Sequence, residues 1–155
     1  HMAAEAGAPK IVEQLLKKAK TLGITENLVG ALDNQNCHAL LLAAKTGEPE
    51  TVRLLLDAGA KVDQRWCGLT PLHLAIYYLV QCHSESSNGI RLPDVIRLLI
   101  SRGADVGATT IGPFAAIHAT WAAIPAGSTP RDVAEHCCGD AQAKRDAAVA
   151  LLPPP

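Results

Sequence analysis

Gly68-Leu69-Thr70-Pro71-Leu72-His73-Leu74-Ala75 is the stretch that decides how this chain folds. It reads as a helix start. Thr70 can cap the first free backbone N–H groups, and Pro71 takes the first helical position, where a missing N–H costs nothing. Leu72 and Ala75 are three apart, so both can face one core. Upstream, Ala43-Ala44-Lys45-Thr46-Gly47-Glu48-Pro49 ends one helix near Gly47 and starts a second at Pro49. That second helix runs to about Ala58, and Gly59 supplies a left-handed cap.

The octet, with its Thr70-Pro71-Leu72-His73 core, resembles the signature of the ankyrin repeat, and Ala43 to Ala60 resembles the rest of such a unit. The resemblance implies an all-α solenoid of stacked helix-turn-helix units, here with irregular terminal units and two insertions. One such helix pair exposes an apolar face it cannot bury alone, and neighbours bury it for each other. At an offset of 40 residues, Ala3, Ala4, Gly7, Pro9, Val12, Leu15 and Leu16 match Ala43, Ala44, Gly47, Pro49, Val52, Leu55 and Leu56. The chain therefore reads as beginning inside a repeat, either as a piece of a longer protein or as an abbreviated cap. His1-Met2 reads as an expression scar. Lys10, Glu13, Lys17, Lys18 and Lys20 are expected to keep this end wet. The run Lys17-Lys18-Ala19-Lys20 reads as a solvated terminus, with a partner patch as the alternative.

The expected domain spans 3–152. Residues 3–32 form a partial or capping repeat, within which Thr25 to Val29 makes one helical turn. Residues 33–62 are a repeat whose helix start, Asn36-Cys37-His38-Ala39-Leu40, departs from the motif. Replacing its cap residue weakens that start by about 1 kcal/mol. Residues 63–106 are a repeat with an insertion at 80–92, since Gly59 and Gly103 stand 44 residues apart against roughly 33 for the family. There Gln81 to Gly89 reads as a polar, mobile loop, and Pro93-Asp94 restarts the helix. Residues 107–152 hold a second insertion and a capping repeat, Gly127-Ser128-Thr129-Pro130-Arg131-Asp132-Val133-Ala134, with Asp132 in the His position. Phe114, Ile117, Trp121 and Ile124 fall at helical spacing and predict a packed extra helix, with a β-hairpin as runner-up. Residues 153–155 read as a linker start.

The totals limit the function. The chain has 155 residues, is 48% hydrophobic and carries a net charge of −1, with pI near 6.6. That gives no sequence-wide attraction to nucleic acid. No apolar run approaches the roughly 20 residues that span a bilayer, so membrane insertion is not expected. Five cysteines at irregular spacing point to reduced thiols, hence to the cytoplasm or another reducing intracellular compartment.

Three Cys–His neighbours invite chemistry: Cys37-His38, Cys82-His83 and His136-Cys137-Cys138. None has the tight C-x2-C or H-x3-H spacing of a zinc site, and no oxyanion or orienting element accompanies them. Gly103-Ala104-Asp105-Val106-Gly107 is a helix end, not a phosphate loop. The expectation is no metal, no cofactor and no catalysis. His73 looks like a base, but the resemblance implies that it braces its turn by hydrogen bonds.

The function that the resemblance implies is recognition of another protein or peptide by a monomer. The alternatives are a regulatory or targeting segment of a larger enzyme or transporter, and a small enzyme using a Cys–His pair. In ankyrin repeats, partner contacts come mainly from the finger around the turn glycine and from the exposed end of the first helix. Around Gly68 those positions are Trp66, Cys67, Leu69, Tyr77 and Tyr78. The preceding repeat adds Asn34, Gln35, Cys37, Lys45 and Thr46, and the tail adds His136. The chain has two Trp, two Tyr and one Phe, so three of its aromatics fall in this set, and Trp and Tyr are the commonest interface hot spots. The competing expectation is that the tyrosines fold into an intramolecular cluster.

Overall fold

The computed structural model describes residues 1–81, 91–111, 124–136 and 142–154. They form the helices α1 (Met2–Glu5), α2 (Pro9–Leu22), α3 (Thr25–Gly30), α4 (Ala39–Thr46), α5 (Pro49–Asp57), α6 (Pro71–Gln81), α7 (Leu92–Ser101), α8 (Pro130–His136) and α9 (Gln142–Ala150). No strand occurs among the described residues; two isolated antiparallel bridges join Leu32 to His38 and Trp66 to Leu69. Proline marks the start of α2, α5, α6, α7 and α8, as its fixed φ and missing donor favour.

The first helices α1, α4, α6 and α8 pack in succession, and so do the second helices α2, α5 and α7. Helix α9 lies against α6 and α8, and α3 against α2 and α4. The core runs through the middle of the stack. The largest fully buried side chains, among them Leu40, Leu41, Val52, Leu72, Ile76, Ile96 and Leu99, all lie between Leu40 and Leu99. Leu54 and Leu98 are only partly buried and pack against this core from its edge. Backbone bonds tie adjacent units: Arg91 N donates to Gly47 O at 2.8 Å, where α7 begins beside the end of α4.

The two caps of the motif take one geometry. At the start of α6, the Thr70 hydroxyl lies 2.7 Å from His73 Nδ1, and His73 N donates to Thr70 Oγ1. At the start of α8, the Thr129 hydroxyl donates to Asp132 Oδ2 at 2.8 Å, and Asp132 N donates to Thr129 Oγ1. Helix α4 begins at His38 with no side-chain cap, and the buried His38 Nδ1 lacks a hydrogen-bond partner. This is the cost of the departed motif.

Several boundaries differ from the sequence reading. Helix α2 runs past Lys20 to Leu22, because Gly23 at φ 70 is the first residue able to end it. His1-Met2 is part of the folded unit: Met2 opens α1, and His1 Nε2 lies 3.0 Å from Ala31 O. The lysines of α2 are exposed, but so are Ile11, Leu15 and Leu22 beside them, so this end is not uniformly polar. The loop expected at Gln81 to Gly89 lies, after Gln81, outside the described residues. So does the helix expected at Phe114 to Ile124, apart from Ile124, which is buried.

Candidate partner-binding groove

The fingers are built from short-range hydrogen bonds. Trp66 N donates to Leu69 O and Leu69 N to Trp66 O, both at 2.9 Å, closing a two-residue turn over Cys67 and Gly68. Both turn residues have positive φ, 51° and 82°, the conformation of a tight primed hairpin turn. Gly68 is required twice. Its φ disfavours a side chain, and a Cβ there would run into the backbone of Ile111 in the next finger. Ile111 N donates to Gly68 O, and Arg65 Nη1 donates to Gly68 O at 3.0 Å and to Thr109 O at 2.7 Å. In the preceding finger one carboxylate organises the turn: Asp33 Oδ1 accepts from Gln35 N and Cys37 N, each at 2.8 Å.

The neighbouring fingers are joined by an aromatic side chain. Trp66 Nε1 donates to Gln35 O at 2.9 Å. Beneath it lies a groove of about 290 Å³, lined by Gln35, Cys37, Lys45, Trp66 and Tyr78 with Glu5, Leu41, Leu42 and Leu74. Tyr78 stands edge-to-face against Tyr77, with centroids 5.5 Å apart. Lys45 Nζ lies 5.7 Å from the Tyr78 centroid and 3.7 Å from Glu5 Oε1. The groove therefore has an aliphatic floor, two aromatic walls and one oriented cation over a ring face.

Sequence-predicted residues divide among three places. Gln35, Cys37, Lys45, Trp66 and Tyr78 meet in the groove. Asn34 and Cys67 are exposed on the fingers, outside its lining, and Thr46 is half-buried with its hydroxyl donating to Ala43 O. Leu69 and Tyr77 are core residues, not surface contacts. Leu69 pairs back to Trp66 across the turn and points inward, and Cys37, its counterpart in the preceding finger, is likewise buried. Tyr77 is buried because α6 is apolar almost all round and is covered on nearly every side. The side chain of His136 lies outside the described residues. Sequence reasoning missed Glu5, Leu41, Leu42 and Leu74. Leu74 is one turn before Tyr78, Leu41 one turn before Lys45, and Glu5 matches Lys45 at the offset of 40, so these three carried a spacing signal and Leu42 did not.

The Cys37 and Cys67 thiols and the His73 imidazole are held neutral. Burial, followed by the Asp33 charge, pushes the Cys37 thiol up to about 12. A nucleophile or metal ligand needs the opposite shift, so the surroundings of Cys37 favour the thiol over the thiolate. Burial also pushes the exposed Cys67 thiol upward. The pairs at Cys82 and Cys137 lie outside the described residues. Burial pulls the His73 imidazole down to about 4, against the raising effect of the Ser128 carbonyl. His73 Nδ1 accepts from Thr70 N, so its proton sits on Nε2, which donates to Ser128 O at 3.2 Å. His73 is a structural strut from α6 to the start of the last unit, as expected of it.

A family model described as Ankyrin repeats (3 copies) matches residues 1–110. The chain belongs to the ankyrin-repeat family. Ankyrin repeats are generally protein–protein interaction modules and typically non-catalytic. The match covers α1 to α7 and ends at Thr110; the unit of α8 and α9 lies beyond it. No helix among the described residues is long and apolar enough to cross a membrane.

Proposed function

We propose that this protein is a non-catalytic recognition module that holds a peptide segment of a partner protein in the groove between Trp66 and Tyr78. One observation carries the reading: two aromatic side chains and Lys45 converge over Leu41, Leu42 and Leu74 in a groove that is open among the described residues. Trp and Tyr supply large contact area at low rotamer cost. Leu41, Leu42 and Leu74 can take an apolar anchor, and Lys45 can exchange its contact with Glu5 for a partner carboxylate. The domain acts as a monomer, and the irregular spacing of its five cysteines supports the cytoplasm or another reducing compartment as its location.

The test is selection of a displayed peptide library on the intact chain, followed by affinity measurement on variants. Trp66→Ala and Tyr78→Ala should each weaken the selected peptides by at least about tenfold. Leu15→Gln, on α2 and outside the groove's lining, should leave them unchanged. Peptides that bind Trp66→Ala and Tyr78→Ala as well as the parent would place recognition elsewhere.

A further inference from the structure

The groove between Trp66 and Tyr78 contains an ammonium group whose donors are unspent. Lys45 Nζ lies 3.7 Å from Glu5 Oε1, outside hydrogen-bond reach, and 5.7 Å from the centroid of the Tyr78 ring. It donates no hydrogen bond among the described residues. The side chains of Lys45 and Glu5 are 40% and 55% exposed, so water and salt weaken their pair. Gln35, on the same lining, spends only its backbone: its N–H donates to Asp33 Oδ1 and its carbonyl accepts from Trp66 Nε1. The Gln35 side-chain amide makes no hydrogen bond among the described residues. Asp33, the other carboxylate nearby, is committed to the finger turn through Gln35 N and Cys37 N.

These groups set the sign of a ligand. A ligand cation would seek the face of Tyr78, and Lys45 already stands over it. A ligand carboxylate instead meets the ammonium and an amide donor, and displaces only an exposed carboxylate at 3.7 Å. The same groups set a spacing. Leu41 and Lys45 are four residues apart on α4, which brings their Cβ atoms to about 5–6 Å. Leu41 is fully buried at the groove floor. In an extended chain, side chains two positions apart share one face at roughly 7 Å, close to that separation. A groove of about 290 Å³ takes the side chains of an extended segment, not a helix about 10–12 Å across.

We infer, resting on the groove reading above, that the partner segment is extended and acidic: an Asp or Glu two positions from a large apolar residue. Lys45 and Gln35 hold the carboxylate, and the apolar side chain lies over Leu41, Leu42 and Leu74. Glu5 stands in for that carboxylate, so it competes with the ligand and sets specificity. Only a segment that brings its own carboxylate replaces the contact Lys45 gives up.

The test starts from displayed peptides that the intact chain captures and Trp66→Ala does not. Their sequences should be enriched in an Asp or Glu two positions from Leu, Ile, Met or Phe. One such peptide, made fluorescent, is titrated by anisotropy beside a copy with each carboxylate replaced by its amide. The amide copy should bind at least about tenfold more weakly. Lys45→Met, which keeps the aliphatic stem, should bring the two peptides to within about twofold of each other. Glu5→Gln should tighten the acidic peptide by up to about fivefold and the amide copy by less; a gain in affinity cannot come from misfolding. A Trp66-dependent pool without the acidic pair, equal binding of the acidic and amide peptides, or weaker acidic binding by Glu5→Gln would each overturn the inference and leave the groove reading standing. Absence of any Trp66-dependent peptide would overturn both.

Discussion

Replacing Gly68 by alanine tests whether successive fingers are packed against each other or merely adjacent. Two costs add at this position. A non-glycine residue at φ 82° pays roughly 1–2 kcal/mol for the left-handed conformation. The new Cβ would also collide with the Ile111 carbonyl and lie 2.9 Å from Ile111 N. That neighbour is backbone, so it cannot rotate away; the finger must shift. A shift endangers the bonds from Ile111 N and Arg65 Nη1 to Gly68 O, each worth about 0.5–1.5 kcal/mol. The expected loss is about 2–5 kcal/mol in all. Gly103→Ala is the control. Its φ is 84°, but nothing lies within 4 Å of the added carbon, so only the conformational cost applies, about 1–2 kcal/mol. Urea unfolding of the two variants, with hydrogen exchange at residues 105–111, gives the comparison. Equal losses would refute the packing argument and reduce Gly68 to a turn residue.

Leu99→Ala should cost about 2–5 kcal/mol in the same unfolding assay, because Leu99 of α7 is fully buried, and Leu98→Ala should cost less from its half-buried site. The His73 strut predicts an acid dependence. Its folded pKa, about 4, lies below the ordinary value of 6.5, so the unfolded chain takes up the proton first. The stabilisation is complete above about pH 6.5 and is lost as pH falls through 4, by at most about 3 kcal/mol. The stability difference between the parent and His73→Gln should therefore shrink from pH 7 to pH 4.5; a constant difference would show that His73 does not stay neutral in the fold.

Thr70-Pro71 and Thr129-Pro130 each announce a helix start in sequence, and both starts are built as their residues dictate. The offset of 40 likewise placed α1 and α2 over α4 and α5, because Ala, Gly and Pro at fixed positions constrain backbone geometry directly. The site was legible only where residue type and direction coincide. Trp66, Tyr78 and Lys45 line the candidate groove, whereas Leu69 and Tyr77, expected to face outward, point in. The turn's inward and outward positions differ by one residue, and α6 is too apolar all round for periodicity to choose a face. Leu15 exposes the opposite failure. Its spacing marks it as a stacking residue, yet periodicity says which side chains seek cover and not whether a neighbour provides it.

The concentration of buried side chains between Leu40 and Leu99 has a kinetic meaning. In a stack where each unit touches only its neighbours, stability is a sum of unit and interface contributions. Among the described residues, the units of α4–α5 and α6–α7 pack on both sides, whereas α1–α2 and α8–α9 pack on one. Local opening is therefore easiest at α1–α2 and α8–α9, and hydrogen exchange there should run ahead of the two middle units.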